Sequence, residues 1–300
     1  MRGRLSPAAM YPVGVADIAA RRVTLRNGLQ LRIAESGPAA GRPVLLIHGW
    51  GACLYTFRHL IPALARAGRR AIAMDLRGHG LSDKPRGADQ YGADHLCRDA
   101  IELLEALGVG SADLVGHSLG GAVVLQLALR NPTRVGRLVL AAPVGLAPVR
   151  LHTVGRLLTP RFLDPFAQYL TPRWLTSLLL HGAYGNPSRV RDEAIDEYWA
   201  PSQFPGYYRA LRALLRKFSW EPLSASELAR IVQPALVMLG TADRLIPDAG
   251  RRAVQLTNPT LLSLQGAGHL GIEECPAEAN RAVVAFLSGD SAVAASVTTS

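Results

Sequence analysis

The sequence predicts an α/β fold: a mostly parallel, twisted sheet with flanking helices and an inserted helical cap. Three observations carry this expectation. Short apolar runs recur at Pro43–Ile47, Ala71–Asp75, Arg137–Ala142 and Pro234–Leu239, the texture of strands buried on both faces. Stretches of helical periodicity separate these runs over much of the chain. The alternation then breaks at about Gly145 and resumes only near Pro234, leaving a helical, proline-punctuated stretch between.

The elements follow in order. Residues 22–34, RVTLRNGLQLRIA, read as a hairpin of two alternating runs around Asn27-Gly28, a strong short turn signal. Pro43–Ile47 is the third strand, followed by a helix over about Phe57–Ala67. Ala71–Asp75 is the fourth strand and leads into the glycine-rich loop RGHGLSDKP. A helix is expected over Ala93–Leu107, where Leu96, Ala100, Leu103, Leu104 and Leu107 share one face. Asp113–Gly116 forms a strand that runs into a helix over Ala122–Leu129, and Arg137–Ala142 the next strand. In the insertion, Trp174-Leu175-Thr176-Ser177-Leu178-Leu179-Leu180 is apolar enough to lie over another apolar surface. Strands return at Pro234–Leu239 and Thr260–Leu264, and a last helix spans about Pro276–Leu287. The expected division is a core of residues 22–146 and 229–288, a helical cap of 147–228, an extension of 1–21 and a flexible tail of 289–300.

Composition narrows the class. The 300 residues are 49% hydrophobic and 19% charged, which excludes a disordered chain. The net charge of +10 raises the question of nucleic acid. Residues 1–42 hold seven Arg against Asp17 and Glu35, and no later segment is strongly basic. No aromatic residues interleave with a basic run as a stacking groove needs. A solvated, Arg-biased surface is therefore expected rather than a nucleic-acid site, with a polyanion-binding N-terminal arm as the competing reading. Cys53, Cys97 and Cys275 suit neither a disulfide framework nor a zinc site. No stretch approaches the ~20 apolar residues of a membrane span, and the N-terminus lacks a signal-peptide core, so a cytoplasmic setting is expected.

The chemistry concentrates at strand ends. Gly116-His117-Ser118-Leu119-Gly120 is a G-x-S-x-G between a strand and a helix. Glycines there permit the sharp turn that strains a serine backbone. A serine hydroxyl needs a base, and of the eight histidines His269 is placed best, in the loop after the Thr260–Leu264 strand. His59, His95, His152 and His181 lack such placement, and His117 is expected to point away from its neighbour Ser118. The orienting carboxylate is Asp243, directly after the Pro234–Leu239 strand, with Asp248 as the more distant competitor.

The chain order Ser118, Asp243, His269, together with His48-Gly49-Trp50-Gly51 and Asp75-Leu76-Arg77-Gly78-His79-Gly80-Leu81-Ser82, resembles the α/β-hydrolase fold family over residues 22–287. The resemblance implies a serine-nucleophile, esterase-like branch in which the Trp50 and Leu119 amides form the oxyanion hole. It also implies that His48 braces its loop, that the Asp75–Ser82 loop is architectural, and that no metal or organic cofactor takes part. Ser118 argues against haloalkane dehalogenases and epoxide hydrolases, which use an aspartate there. The expected activity is hydrolysis of a carboxylic ester of a small to medium apolar substrate. C–C bond hydrolases, lactonases and cofactor-free haloperoxidases or perhydrolases are the alternatives, and a non-catalytic pathway accessory is the remaining class. The longer Gly-Pro-Gly oxyanion loop often seen in C–C hydrolases is absent.

Overall fold

The computed structural model describes residues 5–149 and 171–289. Eight strands form one sheet: β1 (Ala19–Thr24), β2 (Gln30–Ser36), β3 (Pro43–Ile47), β4 (Arg70–Met74), β5 (Ala112–His117), β6 (Val135–Ala141), β7 (Ala235–Gly240) and β8 (Pro259–Leu264). Their spatial order is β1-β2-β4-β3-β5-β6-β7-β8. β2 pairs antiparallel with both β1 and β4, and every pairing from β4 through β8 is parallel.

The apolar runs are continuous because both faces are covered. Leu45 and Ile47 of β3 pack into one core, and Val44 and Leu46 into the other. Helices α1 (Leu60–Arg66), α2 (Ala93–Ala106) and α3 (Leu119–Arg130) supply the layers. Leu96, Ala100, Leu103 and Leu104 of α2 and Val123 and Leu127 of α3 fill the first core, and Leu60, Ile61 and Leu64 of α1 fill the second. Between β6 and β7 the described residues hold α4 (Arg173–Ala183), α5 (Asp192–Trp199), α6 (Tyr207–Lys217) and the short α7 (Ala225–Ala229). After β7 come α8 (Ala249–Ala253), α9 (Gly271–Glu274) and α10 (Pro276–Ser288), with β8 between α8 and α9. The part of the expected cap at residues 150–170, and the expected tail from Asp290, lie outside the described residues.

The hairpin expected around Asn27-Gly28 forms: the Leu25 amide donates to the Leu29 carbonyl and Asn27 Oδ1 accepts the Leu29 amide. Two details differ from expectation. The helix after Ser118 starts at Leu119 rather than Ala122, because Gly120 and Gly121 are wound into its first turn. In α4 only Leu180 is buried, whereas Trp174, Leu178 and Leu179 are exposed.

The basic surplus has a structural account. Arg21 pairs with Glu35, Arg22 with Asp83, Arg26 with Glu105, Arg32 with Asp75 and Arg42 with Asp113. Arg2 and Arg4 lie outside the described residues, and each of these five arginines has an acidic partner. Ahead of them, Tyr11 lies between β2 and α5: its amide donates to Glu197 Oε1 at 2.7 Å and its carbonyl accepts from Arg32. Burial pushes the Glu197 carboxyl up to about 7, the Tyr11 amide and Arg32 opposing and Glu193 and Asp75 adding to the rise.

A carboxyl whose proton is held more tightly in the folded state destabilises that state progressively as pH rises from its ordinary value near 4.5 to about 7. Glu197→Gln removes that slope. The melting temperature of the variant relative to the parent should therefore rise between pH 5 and pH 8, by the equivalent of about 2 kcal/mol. A calorimetric pH series in which the difference stays flat or falls would contradict this.

Candidate active site

The sheet order reverses between β3 and β5, since the chain leaves β3 for β4 on one side and returns to β5 on the other. In open parallel sheets such a reversal opens a crevice at the carboxyl ends of the strands. Ile47 pairs with Gly116, so the loops beginning at His48 and His117 emerge side by side.

Ser118 sits in the turn between β5 and α3 with φ 52° and ψ −115°, in the left-handed half of backbone space that a non-glycine residue seldom adopts. Such a conformation costs about 1–3 kcal/mol and persists only where surroundings over-determine it. They do so here. The Ser118 amide donates to Ala141 O at 3.0 Å, and its carbonyl accepts from the amides of Val144, Gly121 and Ala122. Glycine is required on the C-terminal side of the turn: a Cβ on Gly120 would lie 1.9 Å from the Ile47 carbonyl oxygen. α3 therefore abuts the end of β3 and aims Ser118 at the His48–Gly51 loop.

That loop is braced from two sides. Buried His48 accepts the Leu76 amide on Nε2 at 3.0 Å and donates from Nδ1 to Gly49 O at 2.8 Å. Burial lowers its pKa despite nearby Asp75, so the imidazole is neutral. From the other side, Trp50 Nε1 donates to Leu211 O in α6, and the Tyr207 hydroxyl donates to Gly51 O, each at 3.0 Å. A Cβ on Gly49 would stand 3.0 Å from Ser118 Cβ, so the loop lies directly against the serine. Among the described residues neither the Trp50 amide nor the Leu119 amide, the first of α3, donates a backbone hydrogen bond. Leu119 adjoins Ser118 in the chain, and Trp50 follows Gly49, whose backbone lies against the serine.

The Asp75–Ser82 loop has an internal anchor. The Asp75 carboxylate accepts the Leu54 amide at 2.8 Å and the Leu81 amide at 2.9 Å. A Cβ on Gly80 would fall inside that carboxylate, 2.0 Å from an oxygen. These bonds hold the floor beneath the site and put Asp75 on neither Ser118 nor His269.

Ser118, Asp243 and His269 come together from the ends of β5, β7 and β8. His269 Nε2 lies 2.9 Å from Ser118 Oγ, and His269 Nδ1 lies 2.9 Å from Asp243 Oδ2. The carboxylate assigns the proton: Nδ1 donates to Asp243, leaving Nε2 to accept from the serine hydroxyl. Asp243 Oδ1 is held in turn by the Leu245 amide at 2.7 Å and the Ile246 amide at 3.1 Å. Burial raises the Asp243 pKa, but the hydrogen bond and charge of His269 and the two amides outweigh it, and the net direction is downward. The competitor Asp248 is exposed at the start of α8. Of the other histidines, His152 lies outside the described residues, and His181 donates to Ser177 O within α4.

His117 points away from Ser118, as expected, and reaches the neighbouring loop, where its Nε2 donates to the His269 carbonyl at 3.0 Å. Burial, then the neighbouring His269, pulls its pKa down to about 3. It is a neutral prop for the His269 backbone, and a side chain next to a serine in sequence gives no sign of which strand-end loop it reaches.

An eight-stranded, mostly parallel sheet presenting a hydrogen-bonded serine, histidine and aspartate at its carboxyl edge is the architecture of α/β hydrolases. The family model described as alpha/beta hydrolase fold matches residues 42–276, and the chain belongs to this family. It is 33% identical over 264 residues to the dihydrolipoyllysine-residue acetyltransferase component of the acetoin cleaving system of Pseudomonas putida, covering 87% of this chain and 67% of that protein. It is also 33% identical over 235 residues to 2-hydroxymuconate semialdehyde hydrolase of a Pseudomonas species, covering 75% of this chain and 78% of that protein. Among solved structures, a meta-cleavage product hydrolase of Pseudomonas fluorescens superposes with a TM-score of 0.78 at 25% identity, covering 91% of this chain and 98% of the other.

Proposed function

We propose that the chain is a serine hydrolase acting through an acyl-enzyme on Ser118. The observation that carries this reading is the unbroken Ser118–His269–Asp243 hydrogen-bond line, with both links at 2.9 Å. His269 Nε2 takes the Ser118 proton as Oγ bonds to the acyl carbon, and the carbonyl electron pair moves onto oxygen. The Trp50 and Leu119 amides receive that oxyanion, each donor of this kind being worth about 3 kcal/mol of barrier. Collapse of the intermediate expels the leaving group, which takes the proton from His269. Water, deprotonated by the same imidazole, then releases the acid and restores Ser118. Asp243 holds the Nδ1–H tautomer throughout and stabilises the transient imidazolium.

Residues 22–146 and 229–288 serve as the catalytic core in this reading, and residues 147–228 as a helical cap that selects the substrate. The favoured substrate is a carboxylic ester of a small to medium apolar acid. Supporting it are the short His48-Gly49-Trp50-Gly51 oxyanion loop and the apolar texture of the cap. A second reading, C–C bond hydrolysis of a vinylogous diketone, is favoured by the relatives named for meta-cleavage chemistry.

The two readings separate in one experiment: kcat/KM is measured for p-nitrophenyl esters of increasing acyl length, a lactone and a dienol diketone. The ester reading expects short to medium esters to lead by at least about tenfold, a transition-state preference of roughly 1.4 kcal/mol. A diketone turned over faster than every ester would replace the ester reading by the C–C one and leave the serine mechanism standing.

A further inference from the structure

The buried carboxylate of Glu274 takes no part in the mechanism above, yet it gathers backbone amides from both sides of the site. Its Oε1 accepts the Gly268 amide at 2.6 Å and the Gly185 amide at 3.0 Å. Its Oε2 accepts the Gly185 and Asn186 amides, each at 3.0 Å. Gly268 immediately precedes His269, whereas Gly185 and Asn186 follow α4 in the segment between β6 and β7.

The two backbones touch at these points. A Cβ on Gly185 would lie 2.2 Å from Gly266 O, and one on Gly268 would lie 2.4 Å from both Ala183 O and the Gly185 amide nitrogen. Side-chain-free residues on both strands of the contact let one carboxylate reach both sets of amides. The consequence falls on His269. Its amide donates to Ala183 O at 2.8 Å, a carbonyl in the last turn of α4 that has no partner within the helix. Its carbonyl accepts from His117. The His269 peptide is thus held from both ends, and Glu274 sets the position of one holder, the turn that presents Ala183 O.

We propose that Glu274 is a positioning residue that fixes the imidazole of His269 by clamping the post-α4 turn to the histidine loop. It touches neither the serine nor a substrate. The proposal rests on the reading of Ser118 and His269 as nucleophile and base. Gln has the shape of Glu but exchanges one acceptor oxygen for an NH2 group, which faces an amide N–H where a carboxylate oxygen accepted one. The turn then separates from the loop on one side and the imidazole loses its fixed direction, a misplacement for which losses of about 10²-fold are typical.

The test uses the full-length protein with Glu274→Gln and, as the variant that keeps two charged oxygens on a shorter stem, Glu274→Asp. Four readouts are taken: kcat and KM on a short p-nitrophenyl ester, the rate of Ser118 phosphonylation by a fluorophosphonate, the downfield proton resonance of the His269–Asp243 bond, and the melting temperature. The expected result for Glu274→Gln is a fall of about 10²-fold in kcat and in phosphonylation rate. KM should stay within about threefold, and the downfield resonance should broaden or vanish in a protein that still melts cooperatively. Glu274→Asp should fall between the two. Wild-type kcat in folded Glu274→Gln, or lost kcat with an unaltered resonance, overturns the proposal. So does failure of both variants to fold, which would make Glu274 a scaffold residue. A parent protein that the phosphonate does not label at Ser118 would instead refute the serine reading itself.

Discussion

Ser118→Ala is expected to lower kcat on a short-chain activated ester by about 10⁵- to 10⁶-fold, the loss typical when the nucleophile of such a triad is removed. The melting temperature should change little, because alanine keeps Cβ in place and the turn is held by backbone bonds that no side chain makes. The Ser118 amide and carbonyl remain tied to Ala141, Val144, Gly121 and Ala122. What is lost is one hydrogen bond to the buried His269 Nε2, a change of about 1 kcal/mol in stability. Activity and fold therefore separate in this variant. Mass spectrometry after fluorophosphonate treatment should find the adduct on the parent peptide containing Ser118 and none on the variant. Turnover at the parental rate would sink the assignment of Ser118.

The parts of the molecule that were legible in the sequence are those set by short-range physics. β3, β5 and β7 are near-continuous apolar runs because residues of each strand alternate between two buried cores. The serine declares itself because glycines on both sides of it are obligatory: a Cβ on Gly116 would meet Gly120 O at 2.4 Å. Asp243 and His269 could be singled out because each lies in the loop that follows a strand, β7 and β8 respectively.

Other features depend on contacts between residues remote in sequence, which periodicity does not encode. Tyr11 meets Glu197 across a separation of 186 residues, and Glu274 meets the Gly185 amide across 89. The orientation of His117 is a similar case, since it follows from where the β8 loop passes. In α4 the apolar run likewise does not say which side chains find a partner: Leu180 is buried, whereas Leu178 and Leu179 are exposed.

Asp243→Asn should lower kcat by about 10⁴-fold, as substitutions that impose the wrong histidine tautomer do, and the local hydrogen bonds show why asparagine imposes it here. Oδ1 of Asp243 accepts two amides, from Leu245 and Ile246, while Oδ2 faces His269 Nδ1. Asparagine has one acceptor oxygen. With that oxygen on the two amides, its NH2 group points at His269 Nδ1, and Nδ1 must then accept. The imidazole proton moves to Nε2, which now donates toward Ser118 Oγ instead of taking its proton. The reverse orientation keeps the tautomer but sets the NH2 group against two amide donors, two lost bonds and a repulsive contact for one bond kept. The first orientation wins. Because a neutral side chain also removes the charge that steadies the imidazolium, KM should stay close to the parent while kcat collapses. Part of the activity should return at high pH, where hydroxide takes over as base in the solvent. A variant with parental kcat near neutral pH would mean that the Asp243–His269 bond does not orient the base.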